Sequence, residues 1–356
     1  MRLLWFYTTA TYASFSTSLT QRDVEVVLKV HVVQHAFANP FLMDCLLGLS
    51  AMHINHLGLR NMGVSRTDEV FYRAKAFETY RKAVEAADPA TYPALLAASL
   101  LLCGLSTHVF RGEEARPLSI LDWMLIWRGI STIAELTEFK SPQVAGPWNG
   151  IAQLLTRPDV DLVTSAQCVP SNLLFMVTSI RDDDPEFLFV PAYYQALQVL
   201  GSLYLELGKG ISEMLLLRVA TFLTFLPGQF VDAARQKRPR ALIILAHYLV
   251  FAMFRFRACW WMDGISKREI PSLCQFLGPE WDYLLRVPRA AMLLDSHRDV
   301  ARLLLDDPHW DMVTELRTES PTAQHESELA IRAAMEHEVT DGMEVHKQSK
   351  ILFEIP

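Results

Sequence analysis

Residues 239–264 read PRALIILAHYLVFAMFRFRACWWMDG. From Ala241 to Phe254 the run carries no charged side chain; Arg255, Arg257, Cys259 and the adjacent Trp260 and Trp261 follow. A helix needs about 20 consecutive apolar residues to cross a bilayer. This run is shorter, contains His247, and meets two arginines before it would cross. A second apolar stretch, PALLAASLLLCGLSTHV at 93–109, also ends early. Both read as core helices, and no membrane span is expected.

The rest of the chain supports a large core. Of 356 residues, 51% are hydrophobic, and the mean hydropathy is +0.16. A surface cannot carry that much apolar area, so much of the chain must be buried. The net charge of -7 argues against direct nucleic-acid binding, which usually shows a basic footprint. The opening MRLLWFYTTATYASFS lacks the plan of a secretory signal. Cys45, Cys103, Cys168, Cys259 and Cys274 are scattered, odd in number and never spaced C-x-x-C, so reduced thiols are expected.

Helical periodicity dominates. NPFLMDCLLGLSAMHINHL opens with Asn39 as N-cap and Pro40 at the first helical position. In SRTDEVFYRAKAFETYRKAVEAAD, Val70, Ala74, Phe77 and Val84 form one apolar stripe, and Ser65 to Asp68 fits a capping box. That segment reads as an amphipathic outer helix, stopped by Pro89. Further helices are expected at 93–107, 118–137, 171–181, 190–207, 211–226, 239–263, 265–277 and 288–306. No run of alternating short strands occurs. The expectation is therefore an all-α fold: one helical domain of roughly ten helices over residues 1–310, then a weakly ordered polar tail at 311–356.

Chemistry is sparse. Gly208 to Gly210 lacks the rest of a phosphate loop and reads as a helix-end turn. His31 and His35, or His53 and His56, share helix faces without the glutamate of a zinc motif. Asp182, Asp183, Asp184 and Glu186 suit a hard metal, but fit a helix cap more simply. RQKRPR at 235–240 is either an import signal or phosphate patch, or a solvated loop. No catalytic or metal-binding residues are assigned, and a non-enzyme is expected.

Several segments occur together in an order that resembles a family. LLWFYTTATYASFS, NPFLMDCLLGLSAMHINHL, YRAKAFETYRKAVEA, LLAASLLLCGL, LDWMLIWRGISTI and RALIILAHYLVFAMFRFRACWWMDG, with GPEWDYLLRVP closing the match, resemble the carboxy-terminal regulatory region of fungal zinc-cluster transcription factors of the sterol uptake control type. The resemblance runs from about Leu3 to about Val287. It implies an all-α regulatory domain with an apolar pocket for a sterol-like ligand, self-association or transcriptional partner proteins, and a nuclear location, with cytoplasmic shuttling as an alternative. It also implies an amino-terminal six-cysteine zinc cluster that reads DNA. No such cluster is present in this sequence, so no zinc cofactor and no direct DNA binding by this chain alone are expected. The sequence then belongs either to a fragment or to a regulator without its own DNA reader.

The candidate pocket combines Leu245, His247, Leu249, Trp260 and Trp261 with Leu46, Leu49 and His53 of the other apolar helix. Indoles supply broad apolar area with one donor, and His247 would offer a polar contact. The alternative is solid core packing, with His247 on a backbone carbonyl. Arg128 is expected to pair with an acid, and Gly129 to allow close helix packing. Arg255 and Arg257 are expected at the far end of the 239–263 helix, where cations suit the dipole. The competing functional reading is an interaction or scaffold protein that dimerises with full-length relatives.

Overall fold

The computed structural model describes residues 1–15, 22–111, 116–136, 151, 159–254 and 257–311. These lie within one compact unit, Met1–Thr314. Beyond Asp311, the expected polar tail lies outside the described residues, as does Arg255; so does the side chain of Arg257.

Every regular element among the described residues is helical, and none is a strand. The first are α1 (Arg2–Thr9), α2 (Arg22–Val26), α3 (Val32–Ala38), α4 (Pro40–His56), α5 (Arg66–Ala86), α6 (Tyr92–Leu105) and α7 (Ser119–Leu136). Then come α8 (Leu162–Gln167), α9 (Ser171–Thr178), α10 (Val190–Lys209), α11 (Glu213–Thr221) and α12 (Gly228–Arg235). The last are α13 (Pro239–Phe251), α14 (Ile265–Leu277), α15 (Asp282–Ala291) and α16 (His297–Leu305). The fold is all-α as expected, but the described residues form sixteen α-helices rather than roughly ten. Five of the additional helices, α1, α2, α3, α8 and α12, lie in segments where the sequence suggested none, and other apolar runs continue across bends that periodicity does not mark. The expected 239–263 helix stops at Phe251 and resumes as a 3-10 segment, Arg257–Met262. The expected 288–306 helix is two, with Ser296 capping the second through the Asp299 N–H.

The core has two centres. α13 is buried from Ala241 to Phe251 and packs on α10, α12, α14 and α15. Each of its large side chains, fully buried, is worth roughly 1.5–3 kcal/mol relative to exposure. α4 is the second centre, packed on α1, α3, α5 and α6. The run Pro89–Phe110 around α6 is 22 residues long, longer than its sequence suggests, and by length and composition alone is apolar enough to cross a bilayer. Its most apolar window is 83% buried among the other helices, as in a core helix.

α5 is oriented differently from a simple amphipathic reading. Its capping box is present, Ser65 and Asp68 each bonding the other's backbone N–H. Yet its buried residues are Glu69 and Ala76, while Val70 and Val84 stay 48% and 41% exposed. Asp44, buried in α4, dictates this choice: it pairs with Lys75 Nζ at 3.0 Å and accepts Thr79 Oγ1 at 3.2 Å. A buried carboxylate needs partners more than the stripe needs cover. Asn55 donating to Glu69 Oε2 at 2.8 Å adds a second polar tie. Gly48 permits the approach, since a Cβ there would stand 3.3 Å from the Arg73 backbone nitrogen.

Candidate functional site

The two tryptophans that end the opening stretch are fixed by the start of the chain. Trp260 Nε1 donates to Ser14 Oγ at 2.6 Å, and Trp261 Nε1 donates to the Ser14 carbonyl at 3.1 Å. Adjacent residues of a regular helix point about 100° apart. A non-helical Cys259 (φ -113°, ψ 40°) kinks the segment just before them. Both indoles are buried, with their donors satisfied by one serine.

Trp260 then stacks on His53 of α4, with centroids 4.4 Å apart and planes 6° from parallel. His53 Nδ1 lies 3.1 Å from Thr11 Oγ1, and Phe6 meets the ring edge-on at 5.4 Å. Arg111 lies 5.2 Å from the Trp260 ring and donates to the Trp260 carbonyl at 3.0 Å. Burial, with smaller contributions from His56 and Arg111, pushes the His53 imidazole down to about 3. The stack therefore holds a neutral imidazole at ordinary pH. Among the described residues no group of three or more His, Cys, Asp or Glu converges as a metal site would.

Trp261 faces a second cluster. It stacks on Phe15 at 5.6 Å and meets Trp123 and Trp127 of α7 at 6.4 and 6.3 Å. Trp123 Nε1 donates to the Cys103 carbonyl at 2.9 Å. Trp127 Nε1 is buried with no hydrogen-bond partner. Leu49 borders this cluster: a Cβ on Gly104 would stand 2.8 Å from Phe15 Cζ and 3.6 Å from Leu49 Cδ1. Leu46, Leu49 and His53 share one face of α4, at i, i+3 and i+7.

The other predicted residues are placed elsewhere. Leu245, His247 and Leu249 are buried in α13, whose main neighbours are α10, α12, α14 and α15. The Leu249 carbonyl accepts Ser266 Oγ at 2.7 Å. His247 Nε2 meets the Leu284 carbonyl at 2.9 Å. Four residues on, Pro288 has no N–H, so that carbonyl lacks its helical donor and His247 supplies one. This fixes the proton on Nε2, and leaves Nδ1 buried and unpartnered. The structure thus joins Leu49, His53, Trp260 and Trp261, and uses His247 to complete a proline-interrupted helix.

Two open grooves lie away from these residues. One, of about 530 Å³, is lined by Leu188, Phe189, Gln229, Asp232, Arg235 and Gln236. The other, of about 510 Å³, runs along α5 beside Phe77, Glu78, Tyr80, Arg81 and Val84. Sequence reasoning missed the second because it took the α5 stripe as a core face. It also missed that the acidic and basic motifs meet. Arg240 pairs with Asp184 at 3.2 Å and Glu186 at 3.3 Å, and donates to the Met176 carbonyl. Asp184 caps locally as well, accepting the Glu186 N–H at 2.7 Å. Gly129 has open space where a Cβ would stand, so close packing is not its role. Arg128 crosses over Gly228, where a Cβ would come within 2.9 Å of its guanidinium.

Comparison with known proteins sets this arrangement in context. Residues 2–128 match the family described as Fungal specific transcription factor domain. That span covers α1 to α6 and about half of α7, including Leu46, Leu49 and His53. Over 327 residues the chain is 22% identical to a Zn(2)-C6 fungal-type transcription factor of Gibberella zeae, covering 83% of this chain and 62% of that relative. The chain is therefore similar in its first helices to a fungal specific transcription factor domain, and over most of its length to a Zn(2)-C6 fungal-type transcription factor.

Proposed function

We propose that this chain is the regulatory region of a fungal zinc-cluster transcription factor of the sterol uptake control type. An apolar, sterol-like ligand would favour one of its conformations and change its access to copies of itself or to transcriptional partner proteins. The observation that carries the regulatory reading is the match of residues 2–128 to a transcription factor domain. A nuclear location, a non-catalytic role and DNA reading by a separate zinc-cluster segment belong to the same proposal.

The ligand part rests on Trp127. Its buried N–H has no protein acceptor, and a buried donor left unmade costs roughly 1–3 kcal/mol. A ligand oxygen reaching between Trp127 and Trp261 would remove that cost. The test is thermal melting with ergosterol and other lipids, alongside mass spectrometry of co-purifying lipids. Ergosterol at about 100 times its Kd is expected to add about 2.7 kcal/mol, and less in W127F. Unchanged melting with every lipid would sink the ligand reading. Sequence-specific, salt-resistant DNA binding by the chain alone would sink the assignment of DNA reading elsewhere.

A second reading, an interaction protein without a ligand, is favoured by the outward stripe of α5. There Val70, Phe71 and Val84 stand exposed, and Val84 lines a groove with Phe77 and Tyr80. Partner capture that is lost in V70Q/V84Q and insensitive to lipid would favour it.

A further inference from the structure

Glu269 of α14 has no solvent exposure. Its Oε2 accepts the Ile120 N–H at 2.9 Å, in the first turn of α7. One turn along α14, Ser272 Oγ accepts the Leu118 N–H at 3.2 Å. The first amides of a helix need acceptors, and α14 supplies two from one face. Leu118 is held at φ +62°, a conformation uncommon for a residue with a side chain, so the entry to α7 is a strained turn fixed from outside. Glu269 Oε1, however, is buried with no hydrogen-bond partner. A buried carboxylate with one oxygen unmet is costly when ionised and far less so when neutral.

We propose that Glu269 is a proton-operated latch between α14 and the start of α7. Neutral, it holds the Ile120 amide; ionised, it is drawn to water and releases the helix entry.

The charge environment fits this role. Burial pushes Glu269 up to about 7, against the Ile120 N–H and Arg268, and Asp122 of α7 adds to the rise. α13, α15 and the 3-10 turn Ser106–Phe110 also pack on α14. Their nearby titratable groups have other partners: His247 meets Leu284, Arg289 pairs with Asp282, and His108 meets the Leu105 carbonyl. In the released state Glu269 returns to its ordinary value near 4.5. Opening then grows about tenfold per pH unit between about 4.5 and 7, and levels off above. Release is thus on the alkaline side, and it loosens the helix that carries Trp123 and Trp127.

Native-state hydrogen exchange on the full chain tests this. The protection factor of the Ile120 amide is expected to fall about tenfold per unit from about pH 5 to about pH 7. In E269Q, which keeps an acceptor but cannot ionise, it should stay flat. In S272A protection should drop at every pH while the slope persists. A flat wild-type profile overturns the latch, and so does a wild-type slope retained in E269Q. If E269Q does not fold, the wild-type profile decides alone: a break near pH 7 supports the latch, and its absence overturns it.

Discussion

His247 shows how one side chain is assigned by a residue it never neighbours in sequence. Its place in an apolar helix invites a ligand reading, yet the Leu284 carbonyl freed by Pro288 claims its one N–H. H247L should therefore lose about 1–3 kcal/mol in urea unfolding, because it strands a buried carbonyl. Restoring a backbone donor with P288A should recover much of that loss. Additive single-substitution effects in this double-mutant cycle would show that the two residues do not share the carbonyl. The sequence placed His53, His247, Trp260 and Trp261 on a pocket wall or in the core, and all four are buried. It could not supply their partners. Ser14 lies 246 residues from Trp260, and Leu284 lies 37 from His247, beyond the reach of any local pattern.

Among the elements, glycine positions separate packing from propensity. A Cβ on Gly201 in α10 would collide with the Ser165 carbonyl oxygen of α8, a backbone atom that cannot swing aside. G201A should cost at least about 1–3 kcal/mol by overpacking, despite alanine's better helix propensity. G129A, in open space, should instead gain up to about 1 kcal/mol. Equal melting temperatures for the two variants would contradict this account. For α5, V70Q and V84Q should change stability by no more than about 0.5 kcal/mol, whereas A76L should cost about 1–3 kcal/mol. Helix type was legible from 3.6-residue periodicity in the long apolar segments, and α14 falls within its expected bounds, 265–277, but the shorter α1, α2, α3, α8 and α12 were not marked. Facing was legible only where apolar contrast was strong. On α5, buried Asp44 outweighed the stripe, and a pattern that scores only apolar residues does not register such a partner.

Over the whole molecule, buried histidines set the response to acid. His53, His108 and His247 are pushed down to about 3, 4 and 4, each mainly by burial, from 6.5. Below about pH 6.5 the unfolded chain takes up protons that the fold refuses. This part of the stability is full above 6.5 and is lost as pH falls through the folded values. Glu269 acts oppositely, losing stability as pH rises from 4.5 to about 7. With three groups against one, the melting temperature should fall from pH 7 to pH 5, and E269Q should steepen the fall. A melting temperature that rises on acidification would refute it. The Ser14 contacts with Trp260 and Trp261 bear on the protein's birth. Translation adds roughly 5–20 residues per second, so Ser14 leaves the ribosome some 12–50 seconds before the indoles that dock on it. During that interval Phe15 lacks the Trp261 ring it stacks on, whereas Tyr7 and Phe6 already have Leu28 and His53 to meet.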